Sequence, residues 1–215
     1  MIWDPFFFIF YFIFYFRVFV NRYRDSFPNI RTDCVHELGL WIETFPDHFL
    51  DNNFLKFLGW ALHDKDVKTR KEAIEVIRRL YQKEAFAVSL ENLTTRFKPR
   101  LISMLNDVDT DIRSIALSLS VKLLEHGRID EPQKAEVRKF LVDAENSHRI
   151  VAAQFMASEV KESFILPRLA EHEALGGIIQ PTNQPQKIKI TEGLLLVHRF
   201  WQEDLARHCD HQGAD

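Results

Sequence analysis

Very little in this chain would interrupt a helix. Its 215 residues include only seven glycines and eight prolines, and no run alternates apolar and polar side chains well enough to read as a strand. Two cysteines, Cys34 and Cys209, lie far apart; they supply no disulfide framework and fit a reducing compartment. A net charge of −3 provides no global field that would draw the chain to nucleic acid, so any such contact has to come from a local patch. No glycine-rich phosphate loop, G-x-S-x-G elbow or H-E-x-x-H helix occurs. The tail sequence His208-Cys209-Asp210-His211 superficially resembles a metal cluster, but it lacks the second ligand pair that a structural zinc site needs. The other histidines are scattered singly. The expectation is a non-enzymatic protein with no cofactor, no metal and no small-molecule substrate.

The N-terminus is compositionally apart. Pro5 to Phe16 reads PFFFIFYFIFYF, nearly all Phe, Ile and Tyr. A membrane-spanning helix needs about 20 apolar residues, so this run is short for the task. With Asp4 in front, no basic region and no small-residue cleavage site, it is no signal peptide either. Residues 1–16 therefore read as an extension outside the fold, an untranslated stretch read as protein. The alternatives are a buried first helix or an interfacial anchor.

What the chain does contain is a repeat. An Asp is followed six residues later by an Arg four times: Asp25–Arg31, Asp64–Arg70, Asp107–Arg113 and Asp143–Arg149. The arginines are spaced by 39, 43 and 36 residues, bracketing the period of about 40–47 residues of HEAT-type helical pairs. Three residues after each Arg stands a small side chain (Cys34, Ala73, Ala116, Ala152), and an apolar one follows (Val35, Ile74, Leu117, Ala153). That spacing marks one helix face, with the small position letting a neighbouring helix approach. Each Asp, at the start of the second helix of a pair, is expected to cap free N–H groups at the positive end of the dipole.

Periodicity and capping signals predict helices over Ile30–Phe45, stopped by Pro46-Asp47, and over Asn53–His63, with Asp51 and Asn52 as capping candidates. Further helices are expected over Lys68–Gln82, Leu90–Leu105, Asp111–Glu125, Pro132–Val142 and His148–Glu162. Residues 17–165 are therefore expected to form an all-α, right-handed solenoid of HEAT-like repeats, each pair burying its apolar stripe against its neighbours. Gly176-Gly177, Pro181 and Pro185 mark residues 166–190 as a linker. A further helix is expected over 191–209 and a tail over 210–215.

The stretch Phe19–Lys65 carries the most specific signal. Phe19-Val20, Arg22-Tyr23-Arg24-Asp25, Ile30-Arg31, Glu37-Leu38-Gly39 and Trp41 come first. Phe49-Leu50, Leu55-Lys56, Gly59-Trp60 and His63-Asp64-Lys65 follow, with Arg96-Phe97-Lys98 and Arg100 beyond. In order and spacing this string resembles the stromalin conservative domain of the stromal-antigen family, the large HEAT-repeat subunit of cohesin, covering about residues 17–105. The chain stops well short of a full family member and reads as a fragment.

The resemblance implies a nuclear, chromosome-bound scaffold that binds the kleisin subunit and supports sister chromatid cohesion. It implies that the Asp and Arg of adjacent repeats bond to each other as a ladder. It also implies that Tyr23, Lys56, Trp60 and Arg96 help line a composite groove with the kleisin. That groove captures short segments of chromatin proteins bearing two aromatic residues. Arg24 and Asn52 belong to the same region; Asn52 stands where the family usually carries Asp, and Asn21 where it usually carries His. Lys56 and Trp60 are four apart and share a helix face. Taken alone, Trp60 reads as core, as Trp41 does, and Tyr23 as a buried Tyr with a satisfied hydroxyl.

Between Lys65 and Arg100 ten basic residues face five acidic ones. Lys68, Lys71, Arg78 and Arg79 are therefore candidate contacts to DNA phosphates, independent of base sequence, against the plainer reading of a solvated helix face. A different class of function is a generic HEAT adaptor in transport or phosphatase assembly, indifferent to aromatic peptides.

Overall fold

A computed structural model describes residues 17–165, with side chains described to Ser163. Among them the only regular structure is helical. After a helical stretch over 17–22, the elements are α1 (Pro28–Thr44), α2 (Pro46–Phe49), α3 (Asn52–Ala61), α4 (Val67–Tyr81), α5 (Glu91–Ser103), α6 (Thr110–Glu125), α7 (Glu131–Arg138) and α8 (Asn146–Val160). Short 3₁₀ turns at Glu84–Phe86, Met104–Asn106 and Lys139–Val142 join or end them, and a π-helical turn, Lys161–Ile165, follows α8.

Local chemistry sets the helix starts. Asp51 accepts from the N–H of Asn53, Asp66 from Thr69 and Asp109 from Ile112, each satisfying a donor of the first turn. Asp130 and Gln133 form a capping box on α7. Pro28, Pro46 and Pro132 occupy first turns, where a missing N–H costs nothing. Pro46 does stop α1, as expected, but it also starts the one-turn helix α2, because the same fixed φ that ends one helix suits the beginning of another.

The Asp residues of the repeat do not cap the helices themselves. Asp25, Asp64, Asp107 and Asp143 accept instead from the N–H two residues on, of Phe27, Asp66, Asp109 and Glu145. In the second and third repeats the cap falls to Asp66 and Asp109. The physical reason is geometric: the conspicuous Asp shapes the turn, and only the residue two further on stands at the helix mouth.

The helices alternate between two rows. α1, α4 and α6 stack on one another, while α3 packs on α4 and α5 packs on α3 and α6. The interior runs continuously from Phe19 through Leu38, Leu58, Ile77, Leu105 and Leu123 to Phe155. Two glycines set close approaches. A Cβ on Gly39 would lie 2.8 Å from Val76 Cγ2, and one on Gly59 would lie 2.1 Å from the Phe97 ring. Of the small residues predicted for approach, Ala73, Ala116 and Ala152 are fully buried, whereas Cys34 is half-buried.

The chain divides into two compact units, Met1–Phe155 and Met156–Asp215. The repeats belong to the first. Among the described residues of the second are the last turn of α8 and the π-helical turn. The apolar extension Pro5–Phe16, the linker 166–190, the helix expected over 191–209 and the His208–His211 tail lie outside the described residues. No described helix is long and apolar enough to cross a membrane.

Candidate partner-binding groove and the ladder that supports it

The turns entering α1, α4, α6 and α8 repeat one motif. The Arg one turn into each helix sends Nη1 back to the carbonyl of the Asp six residues before it: Arg31 to Asp25 (2.8 Å), Arg70 to Asp64 (3.1 Å), Arg113 to Asp107 (3.0 Å) and Arg149 to Asp143 (2.7 Å). The other edge of the guanidinium reaches the next repeat. Arg31 Nε and Nη2 hold both oxygens of Asp64 at 2.7 and 2.6 Å, and Arg70 holds Asp107 at 3.1 and 2.9 Å. Such two-point pairs are directional and stronger than neutral hydrogen bonds. Burial pushes the Asp64 and Asp107 carboxyls up, but the arginine forks and the turn N–H groups outweigh it and hold both below the ordinary 3.8. The series changes at the third joint, where Asp143 meets His148 at 3.4 Å.

Above the first rung sits an aromatic cluster. Tyr23 and Trp60 lie near parallel, 6.3 Å between centroids, and Phe57 stands edge-on to both, at 4.7 and 5.4 Å. Phe19 packs behind, 5.8 Å from Tyr23 and 5.0 Å from Phe57. Two cations cover these rings. Arg24 lies 5.1 Å from Tyr23 and 5.6 Å from Trp60, and Lys56 lies 5.4 Å from Phe57 and 5.9 Å from Trp60. Phe19 and Phe57 are buried, while Tyr23 and Trp60 are half-buried against the core. The cluster and the Asp25–Arg31–Asp64 rung together line an open concavity of about 760 Å³. Its wall is aromatic and cationic, and its floor is fixed by the part-buried Arg31–Asp64 ion pair.

Of the six groove residues expected from sequence, Tyr23, Arg24 and Trp60 line this concavity, while Lys56 lies over the Phe57 and Trp60 rings without lining it. Asn52 is the exposed first residue of α3, one turn before Lys56 on the same face. Arg96 is exposed on α5, over Phe97 at 5.3 Å, and does not line the concavity. Sequence reasoning missed the part of Phe57 and Phe19. The signal was present, since Phe19 stands four residues before Tyr23 on a helix and Phe57 directly beside Lys56.

The basic patch is interleaved with carboxylates in the structure. Three of its four candidates are committed to carboxylates: Lys71 to Asp111, Arg78 to Glu75 and Arg79 to Glu43. Lys68 alone of the four is exposed. Lys98 pairs with Asp130, and Arg100 stands 3.9 Å from Asp107. Glu43, Asp107, Asp111 and Asp130 all lie outside the Lys65–Arg100 window. The surplus of five counted along the sequence is thus largely neutralised by neighbouring repeats. Among the described residues no group of His, Cys, Asp and Glu is placed to hold a metal ion.

Residues 24–98 match the family model of the stromalin conservative domain. The chain is 33% identical over 147 residues to cohesin subunit psc3 of Schizosaccharomyces pombe, covering 68% of this chain and 15% of that protein. It is 38% identical over 109 residues to cohesin subunit SA-3 of Homo sapiens, covering 51% and 9%. It is 36% identical over 126 residues to sister-chromatid cohesion protein 3 of Arabidopsis thaliana, covering 59% and 12%. The chain thus spans 9 to 15% of the length of these relatives. Among solved structures, cohesin subunit Scc3 from Z. rouxii superposes with a TM-score of 0.60 at 22% identity, over 76% of this chain and 18% of that one. A designed armadillo repeat protein superposes with a TM-score of 0.53 at 14% identity, over 65% of this chain and 62% of that one. These likenesses establish the fold, an α-solenoid of helical repeats.

Proposed function

Because the chain carries the stromalin conservative domain of the stromal-antigen family of cohesin subunits, we propose that it is a non-enzymatic scaffold of a cohesin complex. It docks a kleisin subunit on chromosomes in the nucleus and presents a groove that captures short aromatic segments of chromatin proteins. The observation that carries this reading is the Tyr23–Phe57–Trp60 cluster under Arg24 and Lys56. Half-buried aromatic rings beside cations are the usual anchors of protein interfaces. Two cations without an ion-pair partner in the cluster favour a ligand with acidic as well as aromatic groups. The ladder beneath keeps the wall in place, since Asp25 and Arg31 belong to the turn that carries Tyr23 and Arg24.

The test is fluorescence anisotropy of a labelled kleisin segment with the full chain, followed by titration of a two-aromatic peptide. Kleisin binding and peptide capture, the latter lost in Trp60→Ala with helical circular dichroism unchanged, are the expected result. Capture by Trp60→Ala as tight as by the parent chain overturns the groove assignment. A folded chain indifferent to both ligands points to the generic HEAT adaptor.

A further inference from the structure

The four turns are in register, so the third joint can be compared with the first two position by position. There, Arg113 keeps its Nη1 bonds to the carbonyls of Asp107 and Val108 at 3.0 and 3.3 Å, but Nη2 turns to Thr110 Oγ1 at 3.1 Å. Asp143, in the place of Asp64 and Asp107, is approached by His148 Nδ1 at 3.4 Å. The other ring nitrogen of His148 lies 2.9 Å from Ser114 Oγ on α6, and Glu145 Oε2 stands 3.7 Å away. His148 is 1% exposed.

The equivalent positions explain the difference. Five residues after Asp64 comes Thr69, which bonds back to Thr32 at 2.9 Å as His148 does to Ser114, but it leaves Asp64 to Arg31. Five residues after Asp107 comes Ile112, with no polar side-chain atom to compete. Imidazole reaches both the neighbouring helix and the ladder carboxylate. A second observation marks the same place: a cleft of about 400 Å³, lined by Asp107, Arg113, Phe140 and Asp143 among others, opens at this joint.

We infer that the α6–α8 joint is a two-position hinge in which His148 and Arg113 compete for Asp143. In the structure His148 holds it, Arg113 is released and the cleft is open. In the alternative Arg113 grips Asp143 as Arg31 grips Asp64, and the cleft closes. Each arrangement satisfies the carboxylate, so exchange trades one charge-assisted bond for another without leaving a buried charge unpaired. The first three repeats, joined by two-point rungs, move as one piece, and the start of the fourth, residues 146–155, swings on them. A partner spanning the joint selects one position by its differential affinity.

The experiment uses the full chain and His148→Thr, which installs the residue found at the first joint. A double-mutant cycle of Arg113→Gln and Asp143→Asn is measured by urea unfolding in both backgrounds. The expected coupling is near unity in the parent and about tenfold in the unfolding constant with His148→Thr. Tenfold coupling in the parent, or none with His148→Thr, overturns the hinge. Should a double variant not fold, spin labels at Lys122→Cys and Gln154→Cys, with Cys34 and Cys209 replaced by Ser, report directly. One dominant distance population in the parent that is replaced by a different one with His148→Thr supports the inference; an unchanged distribution rejects it.

Discussion

The cations of this chain fall into two populations, and the contrast separates what holds the molecule together from what it can offer. Along the edge formed by the turns, Arg31 and Arg70 each place a fork on a carboxylate of the next repeat, with side chains no more than 15% exposed. On the face formed by the 17–22 helix and α3, Arg24 and Lys56 lie over aromatic rings instead, with no carboxylate partner in the cluster. A fork locked between two turns cannot change partner without leaving a buried acid alone. A cation resting on a half-buried ring can move to an incoming ligand at little cost, since exposed cation–π contacts contribute only about 0.5–1 kcal/mol. The ladder is therefore a device for stacking, and the aromatic face the surface available for recognition.

The largest expected effect that would break this division is at the edge. Arg70→Ala leaves Asp107, with a side chain 6% exposed, short of its main partner. It should cost about 3 kcal/mol of unfolding free energy in urea, while peptide capture by the folded fraction stays near the parent value. Next is Trp60→Ala on the face. Capture of a two-aromatic peptide should weaken by about 2 kcal/mol, roughly 30-fold in Kd by anisotropy, with urea stability falling by less than in Arg70→Ala.

Acid titration sharpens the contrast. Asp64 and Asp107 have carboxyls held below their ordinary 3.8 in the folded chain. The stability they contribute is therefore fully present above that value and is lost as pH falls below it through the folded pKa. The urea midpoint should drop as pH falls below 3.8, and Arg70→Ala should flatten that decline. An unchanged slope in the variant would separate the acid limb from the ladder. The smallest effect belongs to Lys68. Exposed and outside both regions, Lys68→Ala should change stability by no more than about 0.5 kcal/mol.

Much of the helix map was legible because its punctuation is local. Asp51 and Asp130 stand at helix mouths, and a cap needs only a short polar side chain within three residues of the donor it satisfies, although at α4 and α6 that residue is Asp66 and Asp109 and not the repeated Asp two positions earlier. The repeat was legible for the same reason, since Arg31 and its three counterparts each answer an Asp carbonyl six residues away. What stayed hidden depended on partners far along the chain. His148 reads as one more isolated histidine until α8 is laid on α6 and the ring meets Ser114. The Lys65–Arg100 segment reads as a positive surface until Glu43, Asp107, Asp111 and Asp130 are brought against it.

The groove shows the same limit. Tyr23, Lys56 and Trp60 could be singled out one by one, but the near-parallel rings and the edge-on Phe57 arise only when the 17–22 helix packs on α3. Sequence by itself determined the helices, their period and the residue types at each turn, because caps, prolines and apolar spacing act over a few residues. Which arginine finds which carboxylate, which cations remain available and where the ladder breaks were decided by the tertiary structure, because electrostatic pairing depends on distance in space and the stack brings together charges 33 to 40 residues apart.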